Sequence, residues 1–321
     1  MFVSLVSEDK DEEQQKINKD LESPVNIIPE NEDYPTRESK IPSYMVKITP
    51  ETDSIKPVLY SDEFEEPVPV PGQINTRGAE DSPYITPDGK TFFVWTTPDP
   101  NIPPNEQLDD EVTGIYSLEQ IDGLWQNPKR VMLQDKGKVA LDGCQFAQEN
   151  KIWFCSAREG YVGIHWFKAE YKDGRWQNWQ DAGFNPEYEV GELHITEDGK
   201  ELYFHSPRGN SDGNYDIWIS ENVNEEWAEP KKIDAVNTGE YEGWLYVNKN
   251  KDELWFTRVY LGMPAIYRSK KVDNLWQSPE LILSHFAGEP TFDSEENLYF
   301  THHYYKDAVM LEADIYVAYR K

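Results

Sequence analysis

The sequence predicts an all-β fold: a five-bladed β-propeller of four-stranded blades spanning roughly residues 55–321. Three observations predict it. A strand, polar turn, aromatic strand pattern occurs five times, an aromatic opener returns about every 50 residues, and one strand is left over ahead of the first hairpin.

The hairpins come first. "GELHITEDGKELYFHSPRG" from Gly191 alternates apolar and polar residues on both sides of an Asp198-Gly199 turn, which is the pattern of a half-buried β-hairpin. The same layout appears in "SPYITPDGKTFFVWTTPD" from Ser82, "GCQFAQENKIWFCSARE" from Gly143, "WLYVNKNKDELWFTRVY" from Trp244 and "EPTFDSEENLYFTHHYY" from Glu289. A third strand follows each: "GIYSLEQ", "GIHWFKAEY", "DIWISEN", "AIYRSKK" and "DIYVAYR". The fourth opens on an aromatic in "LWQNPKRV", "RWQNWQDA", "EWAEPKKI" and "LWQSPELI", with Trp125, Trp176, Trp227 and Trp276 as openers.

The fifth repeat has no fourth strand of its own, because "DIYVAYR" runs to Lys321. "EFEEPVPV", Glu63 to Val70, has the same aromatic-x-x-Pro layout and precedes the first hairpin. It is therefore expected to complete the C-terminal blade, closing the ring and removing exposed sheet edges. Residues 1–45 show no sustained apolar period and are rich in charge, Pro and Asn, as in an acidic leader that is disordered or loosely attached. "PSYMVKITPE" is a candidate for one further strand.

Composition limits the functions open to such a fold. The formal net charge is −29, and the acids are spread through the repeats as well as the leader. No cluster of Lys and Arg exists to neutralise a phosphate backbone, so nucleic acid and anionic membrane surfaces are poor partners. No segment approaches a membrane-spanning length, and the opening "MFVSLVS" is too short for the apolar core of a signal peptide. Cys144 and Cys155 sit on the two arms of one hairpin, and face each other if its turn centres on Glu149-Asn150. Two buried thiols are the commoner outcome there, and a cross-strand disulfide is the alternative. No Cys/His zinc spacing, Gly-rich phosphate loop or G-x-S-x-G elbow is present.

"EDSPYITPDGKTFFVW" at Glu80 and "GELHITEDGKELYFHSPRG" at Gly191 resemble the TolB-type propeller repeat: an acid, a strand, S/T-P-D-G-K, a strand, then S-x-R. The remaining hairpins keep the strands but have lost the D-G turn. The resemblance implies a WD-like propeller outside the cytoplasm, periplasmic or extracellular, acting as an interaction module or ligand binder.

In a propeller the first strand of each blade lines the central channel. Asp81, Asp142, Glu192, Glu242 and Glu289 are then expected to converge on one mouth, with Arg158, Arg208 and Arg258 ending the second strands on the same face. His205 and the His302-His303 pair occupy related positions, and Tyr84, His194 and Trp244 lie beside the acids. Arginine–carboxylate pairing that braces the blades would account for both residue types. A pocket would use the same groups differently, with acids accepting sugar hydroxyls and rings stacking on sugar faces. A hard cation such as calcium is a further candidate for a carboxylate cluster.

The order Asp81, Asp142, Glu192 is also similar to the five-bladed arabinanase and xylosidase type of glycosidase. That resemblance implies a base in the first blade, a modulating Asp in the second and an acid in the third. Two facts count against it: the fourth and fifth repeats carry acids too, and the three do not share one register. Counted back from Ile85, Phe146 and Ile195, they stand four, four and three positions away. The expected function is an extracytoplasmic propeller binding a glycan or peptide at its acid-lined mouth. A glycoside hydrolase and a structural module with no small ligand are the alternatives, and a glycan, a peptide or a protein are the candidate partners.

Overall fold

The computed structural model describes residues 35–135, 137–184, 189–209, 214–224 and 226–321. Among them are 23 strands and two four-residue helical turns, Arg37–Lys40 and Pro104–Gln107. Two short strands lead, β1 (Val58–Leu59) and β2 (Val68–Pro69). The first repeat forms β3 (Ala79–Ile85), β4 (Thr91–Thr97), β5 (Gly114–Ile121) and β6 (Leu124–Arg130); the second forms β7 (Ala140–Gln148), β8 (Lys151–Arg158), β9 (His165–Lys172) and β10 (Arg175–Asp181). The third gives β11 (Leu193–Ile195), β12 (Glu201–Ser206), β13 (Asp216–Val223), β14 (Glu226–Trp227) and β15 (Lys231–Lys232). The fourth gives β16 (Glu242–Val247), β17 (Glu253–Tyr260), β18 (Met263–Val272), β19 (Leu275–Trp276) and β20 (Glu280–Ser284). The fifth ends the chain with β21 (Ala287–Phe292), β22 (Leu298–Lys306) and β23 (Val309–Ala318).

Within each repeat neighbouring strands pair antiparallel in chain order. The fourth strands of the third and fourth repeats are split in two at Pro230 and Pro279, whose nitrogens have no proton to give to a ladder. β2 pairs with β23, Val68 opposite Val317 and Pro69 opposite Tyr316. Backbone bonds extend that pairing on both sides: Val70 donates to Ile315, Glu65 to Tyr319, and Lys321 to Glu63. A single parallel bridge, Ala313 to Ala79, joins the fifth repeat's sheet to the first. The further strand expected in "PSYMVKITPE" is not there. It is β1, which adds to the outer edge of the fourth repeat by pairing with β20.

The core lies between adjacent sheets, and the aromatic openers build it. Trp125 packs edge-on to Phe92 at 5.2 Å, which in turn meets Tyr299 of the fifth repeat. Trp176 reaches Phe93 of the first repeat, and Trp276 reaches Tyr203 of the third. Phe64 takes the same part for the fifth repeat: it is fully buried and sits edge-on to Trp255 of the fourth at 6.1 Å. Each such ring contributes about 1.5–3 kcal/mol by leaving water, so the openers hold one sheet to the next.

Residues 1–34, most of the expected leader, lie outside the described residues. The segment from residue 35 packs against the repeats. Arg37, Ile41 and Met45 are buried, and Arg37 donates to the Ile74 carbonyl and stands 3.8 Å from Glu80. Lys47 bonds Glu312 and Asp314, and Asp53 bonds His302. These buried acids need a cation nearby, and the segment brings it.

Candidate functional site

Hairpin register decides which side chains meet. Tyr84, Phe146, His194 and Tyr246 pair with Phe93, Trp153, Tyr203 and Trp255, and Thr291 pairs with Tyr299. These five are therefore equivalent. Two residues earlier stand Ser82, Cys144, Glu192, Trp244 and Glu289. The inner strand is bulged here in four repeats, with register shifts between Asp81 and Tyr84, Gly143 and Phe146, Gly243 and Leu245, and Gly288 and Thr291. Ser82, Cys144, Trp244 and Glu289 adopt left-handed φ of 50°, 53°, 45° and 59°. Such backbone costs about 1–3 kcal/mol for a non-glycine residue, and it re-aims the side chain across the strand. The residue just before the bulge is Gly in three of these repeats, Gly143, Gly243 and Gly288, and Gly191 holds the same place in the unbulged third. A Cβ on Gly243 would stand 2.7 Å from His205 Nδ1 of the neighbouring repeat, so only glycine fits beneath that ring.

The inner strands of all five repeats line one narrow space of about 40 Å³. Glu192 and Glu289 of the third and fifth repeats line it with Ser82 between them, and Asp81 of the first repeat lies within electrostatic reach of both. The Ser82 hydroxyl donates to Glu192 Oε1 at 3.0 Å, and its backbone N–H donates to Glu289 Oε2 at 2.6 Å. The same Glu289 oxygen accepts the Thr301 hydroxyl at 2.6 Å, and Gln145 donates to the Ser82 carbonyl. Burial pushes Asp81 well above the usual carboxylate range, with the charge of Glu289 adding to it. Burial does the same to Glu192, helped by Glu289 and Asp81. The raised carboxyls favour their protonated form, and in that form a carboxyl donates as well as accepts.

Aromatic groups border the cluster. Trp244 stacks on Tyr241 with centroids 5.0 Å apart and planes 30° apart, and Tyr241 lies against Tyr215 at 4.8 Å. His205 accepts the Trp244 backbone N–H on Nδ1 at 3.0 Å, and burial lowers its pKa to about 3, so it is a neutral acceptor. His303 is also lowered by burial, while Glu289 opposes the shift. Tyr84 and His194 line the same space.

Other expected members are elsewhere, and Arg–carboxylate pairing is the reason. Asp142 Oδ1 takes Arg158 Nη2 at 2.8 Å, and Glu242 Oε1 takes Arg258 Nε at 2.8 Å. Both acids lie two residues ahead of the bulge, in the register of Glu80, and both pairs brace one hairpin from within. Arg208 turns outward to Glu229 and covers the Trp218 ring, and His302 is buried against Asp53, Tyr304 and Tyr316. The expected convergence of five acids and three arginines is thus corrected to three acids and no arginine. Asp142 in particular does not join Asp81 and Glu192 as a third catalytic carboxylate.

Glu80 was missed, and a recurring string marks it. Asn75-Thr76 and Glu80 match Asn237-Thr238 and Glu242 in spacing. In each, the Thr backbone and hydroxyl bond the Glu, while the Asn clamps a third strand at Ile315 or Ile217. Cys144 and Cys155 form a disulfide with a Cα separation of 5.4 Å, where two thiols were the commoner expectation. The bulge swings Cys144 toward the opposite strand. Among the described residues no group of three or more His, Cys, Asp or Glu is placed to hold a metal ion, so the cluster does not offer calcium its six to eight oxygens. Nor is any helix among them long and apolar enough to cross a membrane.

No family model matches the chain, and no curated protein matches it in sequence. Among solved structures it is similar to a gluconolactonase from Xanthomonas campestris, at 11% identity over 83% of this chain and 95% of that one, with a TM-score of 0.46. A protein assigned as TolB from Agrobacterium tumefaciens is 13% identical over 77% and 92%, with a TM-score of 0.40. An α-L-arabinofuranosidase from Lactobacillus brevis is 13% identical over 75% and 90%, with a TM-score of 0.47. Likeness at this level assigns neither an activity nor a residue.

Proposed function

We propose that the five repeats form a five-bladed propeller, closed by the pairing of β2 with β23, and that it binds a glycan at the acid-lined mouth of its channel outside the cytoplasm. One observation carries the reading. Glu192 and Glu289, from different repeats, meet on Ser82 beside the stacked Trp244 and Tyr241. Sugar recognition asks for this combination, because hydroxyls need donors and acceptors together while the sugar face needs a flat ring. The disulfide favours an oxidising compartment.

A hydrolase is the second reading, favoured by the raised pKa of Glu192, which suits a general acid. A glycan array followed by calorimetry on wild type, Glu192→Gln and Glu289→Gln tests both. If the mouth binds, each variant weakens the selected glycan by about 1–3 kcal/mol through the altered hydrogen bond, without turnover. If it hydrolyses, wild type cleaves an arabinan or xylan oligomer, and Glu192→Gln slows cleavage by roughly 10²- to 10⁴-fold while affinity stays. Absence of any glycan ligand, with lower thermal stability in both variants, would leave the carboxylates as braces and end the proposal.

A further inference from the structure

A second cavity opens at the opposite end of the inner strands, among the hairpin turns. It has a volume of about 540 Å³, within the range of small-molecule sites, and the function proposed above does not use it. Its wall is a nearly continuous belt of five rings: Tyr84, Phe146, His194, Tyr246 and Phe292. Consecutive centroids are 5.0, 5.2, 5.0 and 5.0 Å apart. One ring comes from each repeat, so the belt draws on all five inner strands.

Two features define the chemistry of this belt. The first is charge: of the ionisable groups at the opening, Glu197, Asp252, Glu253, Asp293 and Glu296 are acids, against Lys249 and Arg320. Glu197, Glu296, Asp293 and Glu253 lie close enough to push the Tyr246 hydroxyl up, after burial, and Glu197 also raises Tyr84. The second feature is His194, which is 8% exposed. Among the described residues nothing hydrogen-bonds its ring, and burial lowers its pKa to about 3. A neutral imidazole is thereby held in the wall as a free acceptor. Aromatic rings, a rim where five acids stand against two cations, and an imidazole acceptor in the wall favour a positive guest.

We infer that this cavity binds a small organic ammonium ion, seated among the five rings with its polar end toward His194. Ring quadrupoles attract the charge where water is excluded, and the rim carboxylates raise its local concentration. The volume exceeds that of a bare tetraalkylammonium group, leaving room for a substituent.

Calorimetry on the full chain with choline, and with 3,3-dimethylbutan-1-ol as its uncharged isostere, tests the assignment. Choline binds saturably and the isostere at least about tenfold more weakly, because only the charge differs. Tyr246→Leu keeps apolar volume and weakens choline by about tenfold; Glu197→Gln, on the exposed rim, weakens it less and flattens its salt dependence. Acetyl-trimethyllysine amide binding more tightly than choline would place the ammonium on a peptide, and the reverse on a free small molecule. Equal affinity for choline and its isostere, or no saturable choline binding at millimolar concentration, would overturn the inference. Should Tyr246→Leu not fold, a Glu197→Gln protein with unchanged affinity and salt dependence would overturn it as well.

Discussion

Phe64→Ala tests the proposed closure at its tightest point. The ring is fully buried, meets Trp255 edge-on at 6.1 Å, and carries the Arg320 guanidinium 5.1 Å above its face. It belongs to a cluster with Ile282, Leu283 and Phe300, which ties the N-terminal strand to the fourth and fifth repeats together. Truncating a buried Phe removes its transfer free energy and leaves a cavity, together about 3–5 kcal/mol. At the 2–4 °C per kcal/mol usual for domains of 150–250 residues, that lowers Tm by roughly 6–20 °C. Val68→Ala is the control on the same segment, in β2. Val68 is 42% exposed, so its truncation should stay within about 0.5 kcal/mol. Differential scanning calorimetry with light scattering reads both effects, and scattering should rise in Phe64→Ala as the edge of β23 is released. If Phe64→Ala costs no more than Val68→Ala, the strand is an ornament on the last sheet and the closure argument fails.

Two further outcomes follow from burial and from chain connectivity. Glu80 is fully buried and its pKa is raised to about 7 by desolvation, against an ordinary 4.5, so the unfolded chain releases this proton first. Stability from this group is complete below pH 4.5 and is lost as pH rises to 7, by about 3 kcal/mol; Glu80→Gln should flatten that slope in denaturant titrations at successive pH values. Reducing the Cys144–Cys155 disulfide opens a loop with a sequence separation of 11, which should cost about 2–3 kcal/mol. Thermal melts with and without dithiothreitol will show this drop, and the Cys144→Ser/Cys155→Ser double variant should show none.

The strand order was legible because alternation, turn residues and aromatic openers repeat at a fixed spacing, and each reports local chemistry. Even the strand from the N-terminus could be found, since Phe64 and Pro67 copy the layout of Trp276 and Pro279. The two-residue β1 could not, as no period fits in two residues. The packing of Arg37 and Lys47 onto buried acids depends on contacts far along the chain, which composition does not encode. At the channel, the obstacle was the bulge. Side chains alternate with a period of two, so one inserted residue turns the next carboxylate to the other face. Phe146 matches Tyr84 in the hairpin register, not Ile85, and that single step separates Asp142, braced by Arg158, from Asp81.

With the register corrected, the objection that repetition alone explains the acids divides them into two groups. Glu80, Asp142 and Glu242 share one position, and each lies near an arginine: Arg37, Arg158 and Arg258. Repetition explains these: two brace a hairpin from within, and Glu80 holds the N-terminal segment through Arg37. Asp81 stands where the other repeats have Gly143, Gly191, Gly243 and Gly288, and Glu192 and Glu289 stand where others have Ser82, Cys144 and Trp244. These three depart from the repeat, carry no arginine, and in the case of Asp81 and Glu192 strain against ionisation. A brace would gain by copying its neighbours and pairing its charge. Carboxylates that do neither, and that meet on one serine beside a stacked Trp and Tyr, raise the energy of the empty protein in a way that a bound hydroxylated ligand would relieve.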